Sequence, residues 1–177
     1  MGEFGDLIAK KITTKLPEDK LKSRIATIFK EQTMCTIATA SADGQPRATP
    51  LECFADGLTL YIFADPGTKI ENMKVNPKVS LAICNQTKPS WKGNNWKLHK
   101  AAQVTGIATI LQPDNPESIH ARKEVIHWQE FVGALGMDIK EPPKGMVVKV
   151  QPTKIEYSES ALMAEGYASK QVWLAKK

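Results

Sequence analysis

The chain has no C-x-x-C pair, no Walker-type loop, no G-x-G-x-x-G turn and no apolar run of membrane-spanning length. The last absence argues against a transmembrane helix, which needs about 20 predominantly apolar residues in succession. Cysteine is scarce, and Cys35, Cys53 and Cys84 are odd in number and far apart. That spacing suits neither a tetrahedral zinc site nor a redox pair. Each cysteine falls in an apolar, strand-like run, so three reduced and largely buried thiols are expected. His99, His120 and His127 form no constellation. His120 and His127 share one side of an expected helix without a carboxylate or third ligand at metal spacing, and they read as structural. No Ser/His/Asp order is marked, so the sequence names no protein nucleophile. The N-terminal stretch MGEFGDLIAKKITTK lacks the apolar core of a signal peptide and is interrupted by acids. The cytoplasm is therefore the expected location.

What is present is an ordinary globular composition, 42% hydrophobic and 24% charged over 177 residues. That length suits one well-cored domain. The net charge of +5 is unevenly placed. Lys69, Lys74, Lys78, Lys88, Lys92, Lys97 and Lys100 face only Asp65 and Glu71 in the same stretch. Such a cluster meets nucleic acid or an anionic small ligand. No nucleic-acid motif accompanies it, and no aromatic platform interleaves with it, so a phosphate-bearing cofactor is the expected partner.

Periodicity supplies the elements. Pro17 opens a helix with Leu21, Ile25, Ile28 and Phe29 at helical spacing, ending near Gln32. Strands are expected over 34–40, 45–54 and 58–63, joined by the Asp43-Gly44 and Asp56-Gly57 turns. Pro46 and Pro50 place the second strand at an edge or a bulge. A helix over 68–75 stops at Asn76-Pro77 and leads into a strand over 79–84. A polar loop fills 85–100 and precedes a strand over 102–111, where Gly106 marks a bulge or a close approach. Asp114-Asn115-Pro116-Glu117 starts a helix that runs through Ile119, Ile126 and Phe131 to Gly136. A last strand is expected over 146–157, then a tail. The expected organisation is an arm and helix over 1–32, a barrel domain over 33–158 and a tail over 159–177. Six strands, mostly joined by hairpins, make this a mainly β protein, an antiparallel barrel with peripheral helices.

Thr68 and Lys69 follow Pro66-Gly67 at a helix start, where unpaired backbone N–H groups attract anions. A hydroxyl and an ammonium there suit a phosphate monoester. Arg47, on the second strand, is able to hold phosphate oxygens bidentately. Thr49, Pro50 and Leu51 offer backbone and hydroxyl groups to a planar heterocycle, and the Gln103 amide suits a ring carbonyl or ring N–H. Read locally, the same residues also fit a capped surface helix and ordinary edge strands. Trp91, Trp96 and Trp173 are able to stack on a cofactor or to serve as packing.

The segment from Cys35 to Ile83 resembles the front half of the pyridoxamine 5′-phosphate oxidase-like flavin-binding split-barrel family. The resemblance rests on Asp43-Gly44, on Gly44-Gln45-Pro46-Arg47-Ala48-Thr49-Pro50, on the Tyr61-Ile62-Phe63 strand end, on Thr68-Lys69, and on Asn76-Pro77-Lys78-Val79. Gln103-Val104-Thr105-Gly106-Ile107-Ala108 is similar to a later strand of many members. The family implies a six-stranded antiparallel split barrel that dimerises around FMN. In it, Arg47, Thr68 and Lys69 would meet the phosphate. Thr49, Pro50, Leu51 and Phe63 would line the isoalloxazine ring, and Gln103 would meet its polar edge. A tryptophan of the other subunit often closes such sites. The implied activity is that of an oxidoreductase passing electrons or hydride through FMN, with a small-molecule donor or acceptor such as NAD(P)H. Two departures stand out. The C-terminal QVWLAKK lacks the arginine/histidine signature of true pyridoxamine phosphate oxidases, and the second strand carries Arg47 alone. Oxidation of pyridoxamine phosphate is therefore not expected. Related branches bind deazaflavin or haem, which makes a non-catalytic, stress-related binding protein the alternative. The 86–100 loop would discriminate, as a packed cover in the carrier or a moving lid in the enzyme.

Overall fold

Cys53 is the residue through which the sheet closes. Strand β2 (Pro46–Glu52) ends just before it and β3 (Phe54–Asp56) begins just after it. The sheet runs β2-β1-β5-β6-β7-β4-β3, so its two ends are halves of one bent strand, and the sheet curls into a barrel. Cys53 is buried, and its N–H donates to Thr33 O at 2.7 Å, which anchors the bend. The computed structural model describes residues 5–7, 10–85, 95–138, 140 and 145–176. Among them no helix is long and apolar enough to cross a membrane.

The remaining strands are β1 (Met34–Ala40), β4 (Thr59–Ala64), β5 (Lys78–Cys84), β6 (Lys100–Leu111), β7 (Met146–Glu159) and β8 (Lys170–Leu174), all paired antiparallel. The period-two alternation turns one side of each strand inward. Ile37, Leu60, Leu81, Val104, Val148, Val150 and Ile155 are fully buried in one continuous core. Helix α1 (Glu18–Glu31) lays Leu21, Ile25, Ile28 and Phe29 onto that core. Helix α2 (Thr68–Val75) plugs one end of it with Ile70 and Met73. Each such aliphatic side chain contributes about 1.5–3 kcal/mol of hydrophobic free energy. Arg24 of α1 bonds Glu159 at 3.0 Å, and the buried Glu159 also accepts from Tyr157 Oη at 2.8 Å. A second small core, Tyr61, Leu111, Ala121, Ile126 and Val147, sits on the outer face of the sheet beneath the 116–134 segment.

Three expectations are corrected. Among the described residues the sheet has eight strands rather than six. The extra two are β3, cut from the expected second strand at Cys53, and β8, which pairs along residues 154–158 of β7 and forms part of the expected tail. The helix expected from 114 to 136 is broken. Asn115 caps its start by accepting from the Glu117 N–H, and α3 (Pro116–His120) passes into a π turn over Ala121–Val125. His127 then takes a positive φ of 52° before α4 (Trp128–Ala134). Arg122, buried in the π turn, donates to Gly145 O at 3.3 Å and to Pro113 O, which ties the turn to the chain on either side. Finally, Cys35 and Cys53 are buried but Cys84 is exposed, because it lies on the outward row of β5.

Gly106 does mark a bulge. The β6–β7 register shifts between Thr105 and Gly106, and a Cβ on Gly106 would sit 2.7 Å from Gln151 O.

Candidate functional site at the start of the second helix

Gly67 precedes α2 with φ 153° and gives the helix no side-chain cap. A non-glycine residue rarely adopts that backbone, and the space beside Gly67 is open, with nothing within 4 Å of where a Cβ would lie. The N-terminal N–H groups and the positive helix end therefore face an open surface. Thr68 is exposed there, and Lys69, half-buried, folds back so that Nζ donates to Asp65 O at 3.2 Å. A surface loop holds the ammonium over the first turn.

Arg47 reaches the same end of the barrel from β2. It pairs with Thr39 of β1, and directly paired residues share a face. Thr39 Oγ1 in turn accepts from Asn72 Nδ2 at 3.0 Å, one helical turn after Thr68. The Thr39–Asn72 bond thus fastens α2 to the strand pair that carries Arg47. Thr49 and Leu51 lie on the Arg47 side of β2, opposite Ile37 and Cys35, and both are half-buried. Thr49 Oγ1 is buried with no hydrogen-bond partner in the structure.

The other sequence-derived residues do not converge with these. Pro50 lies on the outer face of β2. Gln103 lies in the same outward row, reached through Thr36 and Ala82. Three strand spacings, about 14 Å, separate Pro50 from Gln103. Phe63 lies on the outer face of β4, with Gly145 against its ring, where a Cβ would lie 2.2 Å from the ring tip. Trp173 pairs with Ile155 and packs on the barrel core rather than presenting its ring outward. Trp96 sits in a single turn over Asn95–Leu98 with Lys97 Nζ 5.3 Å from its ring centre. Trp91 and most of the 86–100 loop lie outside the described residues. Lys74 is paired with Glu71 at 2.8 Å and Lys100 with Glu31 at 3.5 Å. Two of the lysines that seemed a loose basic cluster are thereby neutralised locally.

Phe63 also borders a cleft of about 1160 Å3 on the outside of the barrel, between the end of α1, the β2–β3 bend and the 120–131 segment. His120 and His127, read from sequence as structural, both line it. Spacing alone gave no sign of this, because the break at His127 re-aims the chain. Among the described residues no group of three or more potential ligands gathers at metal-binding distance.

Tested against a phosphate-bearing planar cofactor, the site fits in three respects. The α2 start is uncapped and open, Lys69 folds over it beside the strand pair that carries Arg47, and the buried Thr49 hydroxyl lacks a partner.

A barrel closed through one bent strand and plugged by a helix that follows β4 defines a split-barrel protein. Residues 21–159 match the pyridoxamine 5′-phosphate oxidase family, and the chain belongs to it. No curated protein sequence matches the chain. Among solved structures it is similar to general stress protein 26 from Bacillus anthracis, with 23% identity over 77% of this chain and 92% of that one, TM-score 0.55. It is also similar to a FAD-binding protein from Mesorhizobium loti, with 22% identity over 79% and 94% of the two chains and TM-score 0.57. A third is the haem storage protein HutZ from Vibrio cholerae, with 17% identity over 78% and 91% and TM-score 0.54. At these identities the likeness is one of fold.

Proposed function

We propose that the protein is an FMN-binding flavoprotein that passes electrons or hydride between small molecules, NAD(P)H among them, and that it works as a homodimer. The start of α2 carries this reading, since an uncapped helix end after an open glycine is attended by Lys69 and faces the strand pair of Arg47. There Arg47, Thr68 and Lys69 would hold the flavin phosphate, as a bidentate guanidinium, a hydroxyl and a point charge. Bound FMN would supply the redox chemistry of its ring. The chain's own part is to fix the phosphate and to offer Thr49 and Leu51, on the Arg47 side of β2, to the ring, while Pro50 and Phe63 stand on the outer face.

Gln103 would act from the second copy. Its outward row on β2-β1-β5-β6 carries Pro50, Thr36 and Ala82, and Val172 and Leu174 of β8 stand exposed beyond it. The row runs on through Glu156 of β7 to Val172, and the small residues Pro50, Thr36 and Ala82 with the exposed aliphatics of β8 support a covered interface with a polar middle. Oxidation of pyridoxamine phosphate is no part of this reading, since the C-terminal segment that forms β8 carries no arginine or histidine.

The test is a visible absorption spectrum of the purified protein with FMN and then with NADH or NADPH. A retained two-band flavin spectrum that reduced nicotinamide bleaches is expected. Failure to take up flavin, with an intense Soret band on adding haem, would overturn the reading in favour of a haem protein.

A further inference from the structure

Two polar side chains of the 116–134 segment are buried without a partner, one turn apart on its inward side. Ser118 of α3 is wholly buried, and its Oγ makes no hydrogen bond among the described residues. Arg122 of the π turn is 4% exposed, and its Nε makes none either. Its other two nitrogens donate to neutral carbonyls, Nη1 to Gly145 O at 3.3 Å and Nη2 to Pro113 O. Helical side chains lean toward the N-terminus over the turn before them. The reach of Arg122 back to Pro113 therefore carries its Nε past the turn that holds Ser118. Buried polar groups are as a rule hydrogen-bonded, so two unpaired ones at one place point to a shared ligand.

Charge decides what that ligand is. An arginine does not shed its proton in a protein, and Arg122 forms no ion pair among the described residues. The acids nearest in sequence are committed elsewhere. Glu117 pairs with Lys149 at 2.6 Å and accepts from Tyr61 Oη at 3.0 Å, while Glu124 pairs with Lys123 at 3.7 Å in solvent. Asp114 is exposed. A water between Ser118 and Arg122 would complete the hydrogen bonds and leave the buried charge uncompensated. A small anion does both, accepting from the hydroxyl and from Nε while neutralising the guanidinium. The near-complete burial of both residues limits it to about the size of a halide.

We propose that a monovalent anion of halide size binds between Ser118 Oγ and Arg122 Nε and holds the π turn in place. The site shares no residue with the proposed flavin contacts and does not depend on flavin being bound.

The experiment is urea unfolding of the full-length protein at one ionic strength, with sodium chloride replacing the bulkier sodium gluconate stepwise. The unfolding constant should fall as chloride rises, by ~10-fold when chloride reaches ten times its dissociation constant. Ser118→Ala removes one donor without touching the charge, and should need several-fold more chloride for the same effect. Arg122→Lys keeps the charge but not Nε, and should lose the dependence; if it does not fold, Ser118→Ala alone decides. Lys69→Ala should keep the dependence of the parent, which tells this site from a phosphate site at the start of α2. Identical unfolding of the parent in the two salts would overturn the proposal. So would an unchanged chloride dependence in Ser118→Ala or in a folded Arg122→Lys, or its loss in Lys69→Ala.

Discussion

Asn72 Nδ2 donates to Thr39 Oγ1 at 3.0 Å, and both residues are buried where α2 meets the end of the barrel. Neither side chain faces the surface where Thr68 and Lys69 stand, yet their bond sets the distance between that helix and the strand pair carrying Arg47. Thr39→Val leaves the Asn72 amide unpaired in an apolar setting, at a cost of about 1–3 kcal/mol. Urea unfolding should register that loss. FMN affinity should fall as well, although Thr39 touches no proposed ligand atom. A destabilised variant with unchanged FMN affinity would show that the helix position does not matter to binding.

Lys69→Ala removes a charge-assisted contact. It should weaken FMN binding by about 10- to 100-fold while leaving the melting temperature near that of the parent, since among the described residues Lys69 bonds only the Asp65 carbonyl. Fluorescence quenching of FMN gives the constant directly.

Gly106→Ala should destabilise by about 1–3 kcal/mol, because the new Cβ would meet the Gln151 carbonyl at 2.7 Å and Val150 Cγ1 at 2.9 Å. These are backbone and core atoms that cannot swing aside. A shift in the urea midpoint at constant slope would register the loss, and an unshifted midpoint would mean that the bulge yields.

Thiol reactivity should separate the cysteines. Cys84 is exposed and should react with an aromatic disulfide reagent in the folded protein, whereas Cys35 and Cys53 should react only on unfolding. The hydrogen bond with Cys53, then burial, holds the Cys35 thiol well above the ordinary range. Rapid labelling of all three in the native state would contradict the closed barrel.

Stability should fall at both pH extremes, for opposite reasons. Lys149, at 2.6 Å, and then Tyr61 hold the Glu117 carboxyl below its ordinary value despite the opposing effect of burial. That stabilisation is complete above the ordinary carboxylate pKa of 4.5 and is lost as pH falls through the lower folded value. Burial, followed by the hydrogen bond to Glu117, pushes Tyr61 up from 10.0 to about 12. Its contribution is complete below pH 10.0 and is lost as pH rises toward 12. Tyr61→Phe should therefore flatten the alkaline limb of a stability–pH profile in that window. An identical limb in the variant would remove Tyr61 from the account.

The strands were legible because alternation and the Asp43-Gly44 and Asp56-Gly57 turns agree with each other, and local agreement of that kind specifies register. Strand β8 was not, because Lys170 to Leu174 is too short to announce a strand without the edge of β7 to pair with. The break at His127 was hidden for a different reason. Asn115 and Gly136 are good start and stop signals, and nothing between them marks a positive φ at a histidine. Of the expected site residues, Thr68 and Lys69 stand at the start of α2 and Arg47 pairs with the Thr39 that bonds Asn72 of that helix; their role as phosphate ligands is the proposal made above. The outer cleft was invisible in sequence, since its carboxylates come from the β2–β3 bend, the end of β4 and the 120–131 segment, and only the closed sheet makes them neighbours.

The measurement that tests the central claim most directly is a paired titration of the protein and its Lys69→Ala variant with FMN and with riboflavin. The account predicts that the parent binds FMN much more tightly than riboflavin, and that the variant loses most of this preference while its riboflavin affinity holds. Equal affinity of the parent for the two flavins, or the same preference in both proteins, would contradict a phosphate site at the start of α2.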